Sequence, residues 1–304
     1  MRPQTSNFKL QGALSHPILL IDTYSVFFRA FYALPPMQTA AGEPTSALYG
    51  FSVLLLKALR ERKPTGIAFA IDAPHKTFRH NLYSDYKGQR EAAPSALVAQ
   101  LRRLDELLRA LAVPVFSVAG FEADDVLASL AMKLSDQPSI VVVSGDRDLL
   151  QLVSRNVCVE FIGARGRKPT IYDEAAIEQR FQIRPNQLPS WTALVGDPSD
   201  NIPAVPGVGP RTASALIRKF ENVGNLLEHW REVAPPRLRE TLTRNAEQIR
   251  LNEELARLRV DVPLGAGPFV APLQHDALER VRALFVELEF RSLEERLSKL
   301  ANGD

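Results

Sequence analysis

The sequence predicts an α/β protein: a parallel sheet covered by helices, followed by an all-helical second part. Three observations carry this. Short, strongly apolar runs recur at Ile18–Ile21, Ile67–Ile71, Val113–Val118, Ile140–Val143 and Val157–Phe161; such runs suit strands buried on both faces, as parallel strands are. Helical patterns alternate with them, and that alternation argues for a sheet with helices on both sides. From about Tyr172 onward the pattern is helical throughout. A boundary therefore falls near residue 170, dividing a polar tail over 1–16, an α/β core over 17–170 and a helical part over 171–304.

In chain order, Met1 to His16 is polar and reads as a loose tail. The first apolar run ends on Asp22. Pro35-Pro36 and Gly42-Glu-Pro44 make a rigid loop before a helix over Ser46–Arg62. The second run ends on Asp72. Pro74 to Pro94 lacks an apolar face; it carries Lys76, Arg79, His80, Lys87 and Arg90 with Phe78, Tyr83 and Tyr86 between them, and reads as a loop or exposed helix. Helices follow over Ser95–Leu111 and Ala123–Leu134. The second part carries helical patterns over Glu174–Phe181, Pro210–Phe220, Leu226–Glu232, Pro236–Leu258, His275–Leu288 and Leu293–Leu300.

Nine carboxylates in five clusters stand out: Asp22; Asp72; Glu122, Asp124 and Asp125; Asp146 and Asp148; Asp197 and Asp200. Three clusters directly follow apolar runs. Acids at the carboxyl ends of buried strands sit where open α/β sheets keep their ligand sites. Converging there, they repel one another unless a cation lies between them. Oxygen-only ligands without His or Cys suit hard divalent ions such as Mg²⁺ or Mn²⁺. Two such ions together are a standard means of hydrolysing phosphodiesters.

Bulk composition fits this and narrows the rest. The 304 residues are 45% hydrophobic and 24% charged, enough for one large domain or two with a full core. Net charge is only +2, but with the nine acids set aside, 37 Lys and Arg face 26 acids, a surplus of 11. A basic body around an acidic pit suits a polyanion held over a metal centre. Cys158 is the single cysteine, which excludes an intrachain disulfide and a cysteine zinc site. No apolar run approaches 18 residues and the N-terminus lacks a signal-peptide core, so no membrane is expected and the cytoplasm is the expected location.

Each constellation has an ordinary alternative. Phe121-Glu-Ala-Asp-Asp125 opens a helix after Gly120. First-turn acids gain from the helix dipole, but one or two suffice for capping, and three point to ligation. Ser144-Gly-Asp-Arg-Asp148 follows the most apolar run; the alternatives are an Asx turn with an N-cap, or the Asp-x-Asp of an aspartyl-phosphate transferase. Gly196-Asp-Pro-Ser-Asp-Asn201 alone would be a turn. It gains meaning from Pro206-Gly-Val-Gly-Pro-Arg-Thr-Ala213, which opens an apolar helix. Gly207 and Gly209 let backbone N–H groups approach a phosphate, and a helix N-terminus favours an anion. The backbone of a nucleic acid is gripped this way without reading bases; a plain glycine connection is the alternative. The basic–aromatic stretch from Phe78 to Arg90 is either a solvated face or a nucleic-acid contact, and its rings and its place after Asp72 favour the contact. No His pairs with Ser or Cys in a triad.

Taken in order, Leu20-Ile-Asp22, Phe69-Ala-Ile-Asp72, Thr77-Phe-Arg79, Tyr86-Lys87 with Arg90, Gly120-Phe-Glu-Ala-Asp-Asp125, Gly145-Asp-Arg-Asp-Leu149, Gly196-Asp-Pro-Ser-Asp-Asn-Ile-Pro203, Pro206-Gly-Val-Gly209 and Leu288-Glu-Phe-Arg-Ser-Leu293 resemble the bacterial 5′→3′ exonuclease (flap endonuclease) domain that opens DNA polymerase I. The resemblance spans about Pro17 to Leu300, and five acidic motifs in the right order are specific together. It implies a PIN/flap-endonuclease-like core, a helical arch near 74–94 that passes a 5′ single strand, and a helix–three-turn–helix that binds duplex DNA and K⁺. It implies two divalent metals, Mg²⁺ with Mn²⁺ able to substitute. Glu122, Asp124, Asp125, Asp146 and Asp148 would hold the first, Asp197 and Asp200 the second, with Asp22 and Asp72 completing the cluster partly through water. Lys87 and Arg90 match arch residues at the scissile phosphate, and Arg79 and Arg29 match basic residues near it. Tyr86, Lys87, Arg90, Gly207, Val208, Gly209, Arg211 and Thr212 form the implied DNA contacts. The chain departs from the family at Thr23 and Ala204, each in place of a usual Gly, and at Pro210, where an acid is frequent.

The implied activity is phosphodiester hydrolysis at 5′ ends and 5′ flaps, in primer or flap removal during replication and repair. A monomer, a nucleoid-associated location and a DNA polymerase partner in repair go with it. No polymerase or proofreading domain stands before Asp304, so the expectation is either a stand-alone nuclease or an excised domain, with the stand-alone form favoured. One rival is a PIN-type ribonuclease, against which the Pro206–Gly209 hairpin tells. The other is a non-catalytic flap- or junction-binding protein, against which the nine intact acids tell.

Overall fold

The computed structural model describes residues 16–163 and 168–301. The expected tail lies outside the described residues apart from His16. A six-stranded sheet runs in the order β3-β2-β1-β4-β5-β6. Its strands are β1 (Ile18–Asp22), β2 (Gly66–Ala70), β3 (Val115–Phe116), β4 (Ile140–Ser144), β5 (Val157–Phe161) and β6 (Thr170–Tyr172). β1 pairs in parallel with β2 on one side and β4 on the other, Ile18 facing Gly66 and Ile140. β5 continues the parallel set, but β6 runs antiparallel to β5, so the sheet is mixed rather than parallel throughout. The expected strand over Val113–Val118 shrinks to two residues. They reach only Phe69 and Ala70 at the end of β2, and Val115 faces solvent.

The helices follow with some breaks. α1 (Thr23–Ala33), α2 (Ser46–Arg62), α3 (Phe78–Leu82), α4 (Ser95–Val98), α5 (Leu101–Leu111) and α6 (Ala123–Lys133) belong to the sheet half. The expected helix over Ser95–Leu111 breaks between α4 and α5. There the buried Gln100 turns its amide oxygen to accept from the N–H groups of Ala47 and Leu48, at 2.8 and 3.2 Å, capping α2. The second half holds α7 (Glu174–Phe181), α8 (Leu188–Val195), α9 (Pro210–Phe220), α10 (Val223–Glu228), α11 (Pro236–Arg244), α12 (Ala246–Ala256), α13 (His275–Glu287) and α14 (Arg291–Ala301). The expected helix over Pro236–Leu258 breaks at Asn245, which closes α11 and opens α12.

Strand alternation sorts the core into two layers. Ile18, Leu20, Ile140 and Val142 face α6 and the second-half helices. Leu19, Ile21, Val141 and Val143 face α1, α2, α5, α13 and α14. The last two helices thus return to the sheet half, with Leu288, Phe290 and Leu293 buried at their junction. No helix among the described residues is long and apolar enough to cross a membrane.

Candidate metal and nucleic-acid site

Three neighbouring strands deliver acids to one end of the sheet. Asp22 ends β1 and caps α1, accepting from the Ser25 N–H at 3.3 Å, while the Ser144 hydroxyl at the end of β4 donates to its other oxygen. Asp72 follows β2 and accepts from the Ala123 N–H at 2.8 Å, fixing the start of α6. Asp146 follows β4; its N–H donates to Ser144 Oγ at 2.8 Å, and its carboxylate accepts from the Asp148 N–H at 2.9 Å. Glu122 caps α6 and Asp124 lies in its first turn. Asp22, Asp72, Glu122, Asp124 and Asp146 line one pocket of 250 Å³, with Lys87 and Arg90 at its wall. The two strand neighbours of β1 lead away from it in opposite senses, so the pocket opens at the switch point where α/β sheets bind ligands.

The electrostatics are those of anions crowded without a counter-ion. Burial, opposed by the Ser144 hydroxyl and reinforced by Asp146 and Asp72, raises the Asp22 pKa to about 7. Burial, with the charges of Asp146 and Asp22, pushes Asp124 well above the usual carboxylate range. Burial, with Asp146 and Asp200, does the same to Asp148. Burial also raises Asp146, against the hydrogen bond from the Asp148 backbone. An oxygen-only, negatively charged set under this strain fits hard divalent cations. Only Glu122, Asp125 and Asp200 are turned to protein cations, and among the described residues no three His, Cys, Asp or Glu groups close around one point.

Those cations come from the basic stretch, which folds as α3 and a following turn seated over the pit. Lys87 has φ 55°, and its backbone N–H donates to the Asp200 carbonyl at 3.1 Å. Its ammonium meets Glu122 at 2.6 Å and Asp200 at 3.9 Å. Burial alone would lower the Lys87 pKa, but Glu122 and Asp200 outweigh it and hold the group charged. Arg90 pairs with Asp200 at 2.8 Å from an exposed position. The buried Tyr86 hydroxyl lies 2.6 Å from Asp200 and 3.1 Å from Glu122, and burial with those two charges pushes its pKa up. Tyr86 packs with Ile202 and Leu255, which anchors the otherwise largely exposed stretch beside the pit.

Two expected roles are corrected by burial. Arg79 is 2% exposed. Its guanidinium donates to Asp125 at 2.7 and 2.8 Å, to Glu122 at 3.0 Å and to the carbonyls of Leu255 and Arg257. It has no face left for a phosphate. Asp125, expected as a metal ligand, is 0% exposed and spends both oxygens on Arg79 and on the N–H groups of Glu122 and Arg259. The pair ties the basic stretch and α12 to α6. Asp124, one residue earlier, faces the pit.

Arg29 on α1 reaches the pit rim, donating to the Gly145 carbonyl and lying over the Phe161 ring at 5.4 Å. A Cβ on Gly145 would collide with the Arg29 side chain, so the glycine leaves room for the arginine where it lies. Asp197 and Asp200 sit on the loop between α8 and α9. Asp200 reaches the pit through Tyr86 and Lys87; Asp197 accepts from the Ser199 N–H and hydroxyl at 2.7 and 2.6 Å and lines a neighbouring cavity. Past that loop, Gly207 has φ 75° and Gly209 precedes α9, with Arg211 exposed and Thr212 half-buried in its first turn. Val208, expected among the DNA contacts, has its side chain in the core and its N–H donating to the Val205 carbonyl at 3.0 Å, which leaves only its carbonyl for such a contact. Sequence reasoning missed Ser25 and Ser144, which hold Asp22 and Asp146. It also missed Tyr24 and Phe28 on the pit wall, stacked 5.7 Å apart. Their i, i+4 spacing directly after Asp22 was the available signal.

With this geometry in place, comparison with known proteins decides the family. The description "5′-3′ exonuclease, N-terminal resolvase-like domain" matches residues 17–182, and "5′-3′ exonuclease, C-terminal SAM fold" matches residues 183–276. The chain belongs to the 5′-3′ exonuclease family. Membership makes it a nuclease, as the acids led the sequence reading to expect. A 5′-3′ exonuclease of Aquifex aeolicus is 34% identical over 284 residues, covering 93% of this chain and 96% of its own length. DNA polymerase I of Bacillus caldotenax is 39% identical over 283 residues, covering 92% of this chain. The chain spans about a third of the length of the polymerases it matches. Among solved structures, a phage T5 flap endonuclease in complex with DNA and metal ions superposes with TM-score 0.66 at 18% identity, covering 94% of this chain and 100% of its own. That likeness, and a TM-score of 0.64 at 16% identity to the DNA-bound catalytic core of Rad2 (96% of this chain, 94% of its own), bear on the fold.

Proposed function

We propose that this 5′-3′ exonuclease family member is a structure-specific 5′ nuclease that hydrolyses DNA phosphodiesters at 5′ ends and 5′ flaps, in primer or flap removal. The observation that carries the reading is the placement of Lys87 and Arg90 over a pit of acids at the ends of three adjacent strands. A basic strap above an acidic floor suits a phosphodiester held between cations. Glu122, Asp124, Asp146 and Asp148 would hold one divalent ion and Asp197 and Asp200 a second, with Asp22 and Asp72 in support through water. Bound Mg²⁺, or Mn²⁺ in its place, would supply an activated water and neutralise developing charge.

The chain's own residues do the rest. Ser25 and Ser144 fix the Asp22 and Asp146 carboxylates. Tyr86 and the Lys87 backbone hold the Asp200 loop beside the pit. Lys87 and Arg90, released from Glu122 and Asp200 once those acids have other partners, turn to the scissile phosphate. Gly207, Gly209, Arg211 and Thr212 grip the duplex backbone, with K⁺ at the same hairpin. In this reading the nuclease core is 17–170 with its arch near 74–94, and 171–304 is the DNA-binding subdomain. A monomer working in the nucleoid beside a DNA polymerase completes it.

The test is cleavage of a 5′-labelled flap DNA in Mg²⁺, beside Asp146→Asn and EDTA controls. The expected outcome is release of the flap by the wild type alone, with binding retained by Asp146→Asn. Tight binding without cleavage, in Mg²⁺ and in Mn²⁺, would leave a flap-binding protein in its place.

A further inference from the structure

A second cavity, of 430 Å³, adjoins the acid pit on the β5–β6 side. Phe161 and Tyr172 form its aromatic floor, edge to face at 6.1 Å. Arg29 lies over Phe161 at 5.4 Å and Arg180 over Tyr172 at 5.5 Å, with Arg180 also donating to the Tyr172 hydroxyl. Arg147 and Lys168 complete the wall. Among the described residues, none of these four cations has a carboxylate within ion-pair distance. Elsewhere arginines of this chain pair readily, as Arg184 does with Glu221 and Arg103 with Glu43. Four cations left unpaired around one concavity repel one another unless an anion enters. Burial lowers the Arg29 pKa, with Asp146 opposing the fall and Arg147 adding to it.

The two acids on this cavity, Asp146 and Asp197, both belong to the metal set of the nuclease reading. Asp146 and Arg29 are walls of both cavities. An anion here is therefore the next stop along from one in the pit, and a ligand that fills both carries repeated negative groups over a short span.

We propose that this cavity is a second phosphate subsite, which takes a phosphodiester of the cleaved strand one or two nucleotides from the scissile one. Arg147 and Arg180 bind the phosphate, with Phe161 and Tyr172 backing the Arg29 and Arg180 guanidinium groups from below. The inference rests on the nuclease reading for the identity of the strand.

The experiment measures flap-DNA affinity in Ca²⁺, with the strand verified intact, for wild type, Arg147→Ala, Arg180→Lys and the Arg147→Ala/Arg180→Ala double variant. Each is also tested on strands carrying one neutral methylphosphonate at successive positions. Affinity should fall about tenfold in the double variant and the salt slope by one to two. One methylphosphonate position near the scissile bond should weaken the wild type and leave the double variant unaffected. Turnover at saturating DNA should stay within about threefold, since the loss is in binding. Arg180 packs on Tyr172 and its removal can disturb β6, so the exposed Arg147→Ala, with unchanged melting temperature, must show the same coupling. Unchanged affinity and slope would overturn the subsite, as would equal methylphosphonate sensitivity in variant and wild type. Sensitivity confined to a terminal 5′-phosphate, or competition by millimolar inorganic phosphate alone, would replace it with a pocket for a free anionic end. If the wild type binds but never cleaves, the nuclease reading fails, while the methylphosphonate coupling still reports on the cavity.

Discussion

Arg79 and Lys87 lie on one basic stretch, and burial gives them different work. Arg79 is sealed against Asp125 with every donor used, so its removal leaves a buried carboxylate unpaired. Breaking such a pair costs about 3–5 kcal/mol. Urea unfolding of Arg79→Ala should show a loss of that size, and a loss under about 1 kcal/mol would contradict the geometry. Lys87 stands at the pit wall, and Lys87→Ala should fold with near-normal stability while losing roughly two to three decades in kcat. An unchanged rate would remove it from the mechanism. The sequence marked both cations but could not separate them, because the carbonyls that bury Arg79 come from Leu255 and Arg257, far along the chain. The same holds for Asp124 and Asp125. They are neighbours in one motif, and a single helical step turns one to the pit and the other to Arg79.

At the scale of elements, legibility followed pattern contrast. α2, α7 and α9 match their expected bounds because a polar face, a cap or a flanking Pro marks them. α1 went unseen: Val26, Phe27 and Ala30 bury one face while Tyr24 and Phe28 line the pit on another, so the helix is apolar nearly all round. β6 has only three residues and borrows its order from β5. The hairpin before α9 was legible from its glycines, and the structure separates their duties. Gly207 is left-handed, so Gly207→Ala should cost about 1–2 kcal/mol in stability. Gly209 has φ −89°, and a Cβ there meets nothing within 4 Å. Gly209→Ala should therefore cost only the N-cap preference of Gly over Ala, at most about 1 kcal/mol. If the hairpin grips a phosphate through its backbone, the same variant should bind duplex DNA more weakly. Unaltered affinity in a filter or anisotropy assay would remove Gly209 from the grip.

Across the whole molecule, the acids were legible as a set because strand ends are legible. Asp22, Asp72 and Asp146 fall at or just beyond the ends of β1, β2 and β4, which pair side by side. What closes over them was not, since strap, loop and α12 meet only in three dimensions around Tyr86, Ile202 and Leu255. The set has a consequence for stability that needs no DNA. Burial raises Asp22 to about 7, and Asp124, Asp146 and Asp148 are also raised above the ordinary carboxylate value. Between that ordinary value, about 4, and about pH 7, the native protein thus holds more protons than the unfolded chain. Native-state excess binding makes unfolding easier as pH rises, so the metal-free melting temperature should fall across this window. A divalent ion binds the native carboxylates in their charged form, so stabilisation by Mg²⁺ should grow over the same window. Asp22→Asn should flatten the metal-free slope, because a neutral amide has no proton to lose. Thermal melts in EDTA and in Mg²⁺ at several pH values measure all three. A metal-free stability that climbs with pH, or a Mg²⁺ increment that does not change with pH, would mean that these acids are already matched by the protein's own cations and do not wait for a metal.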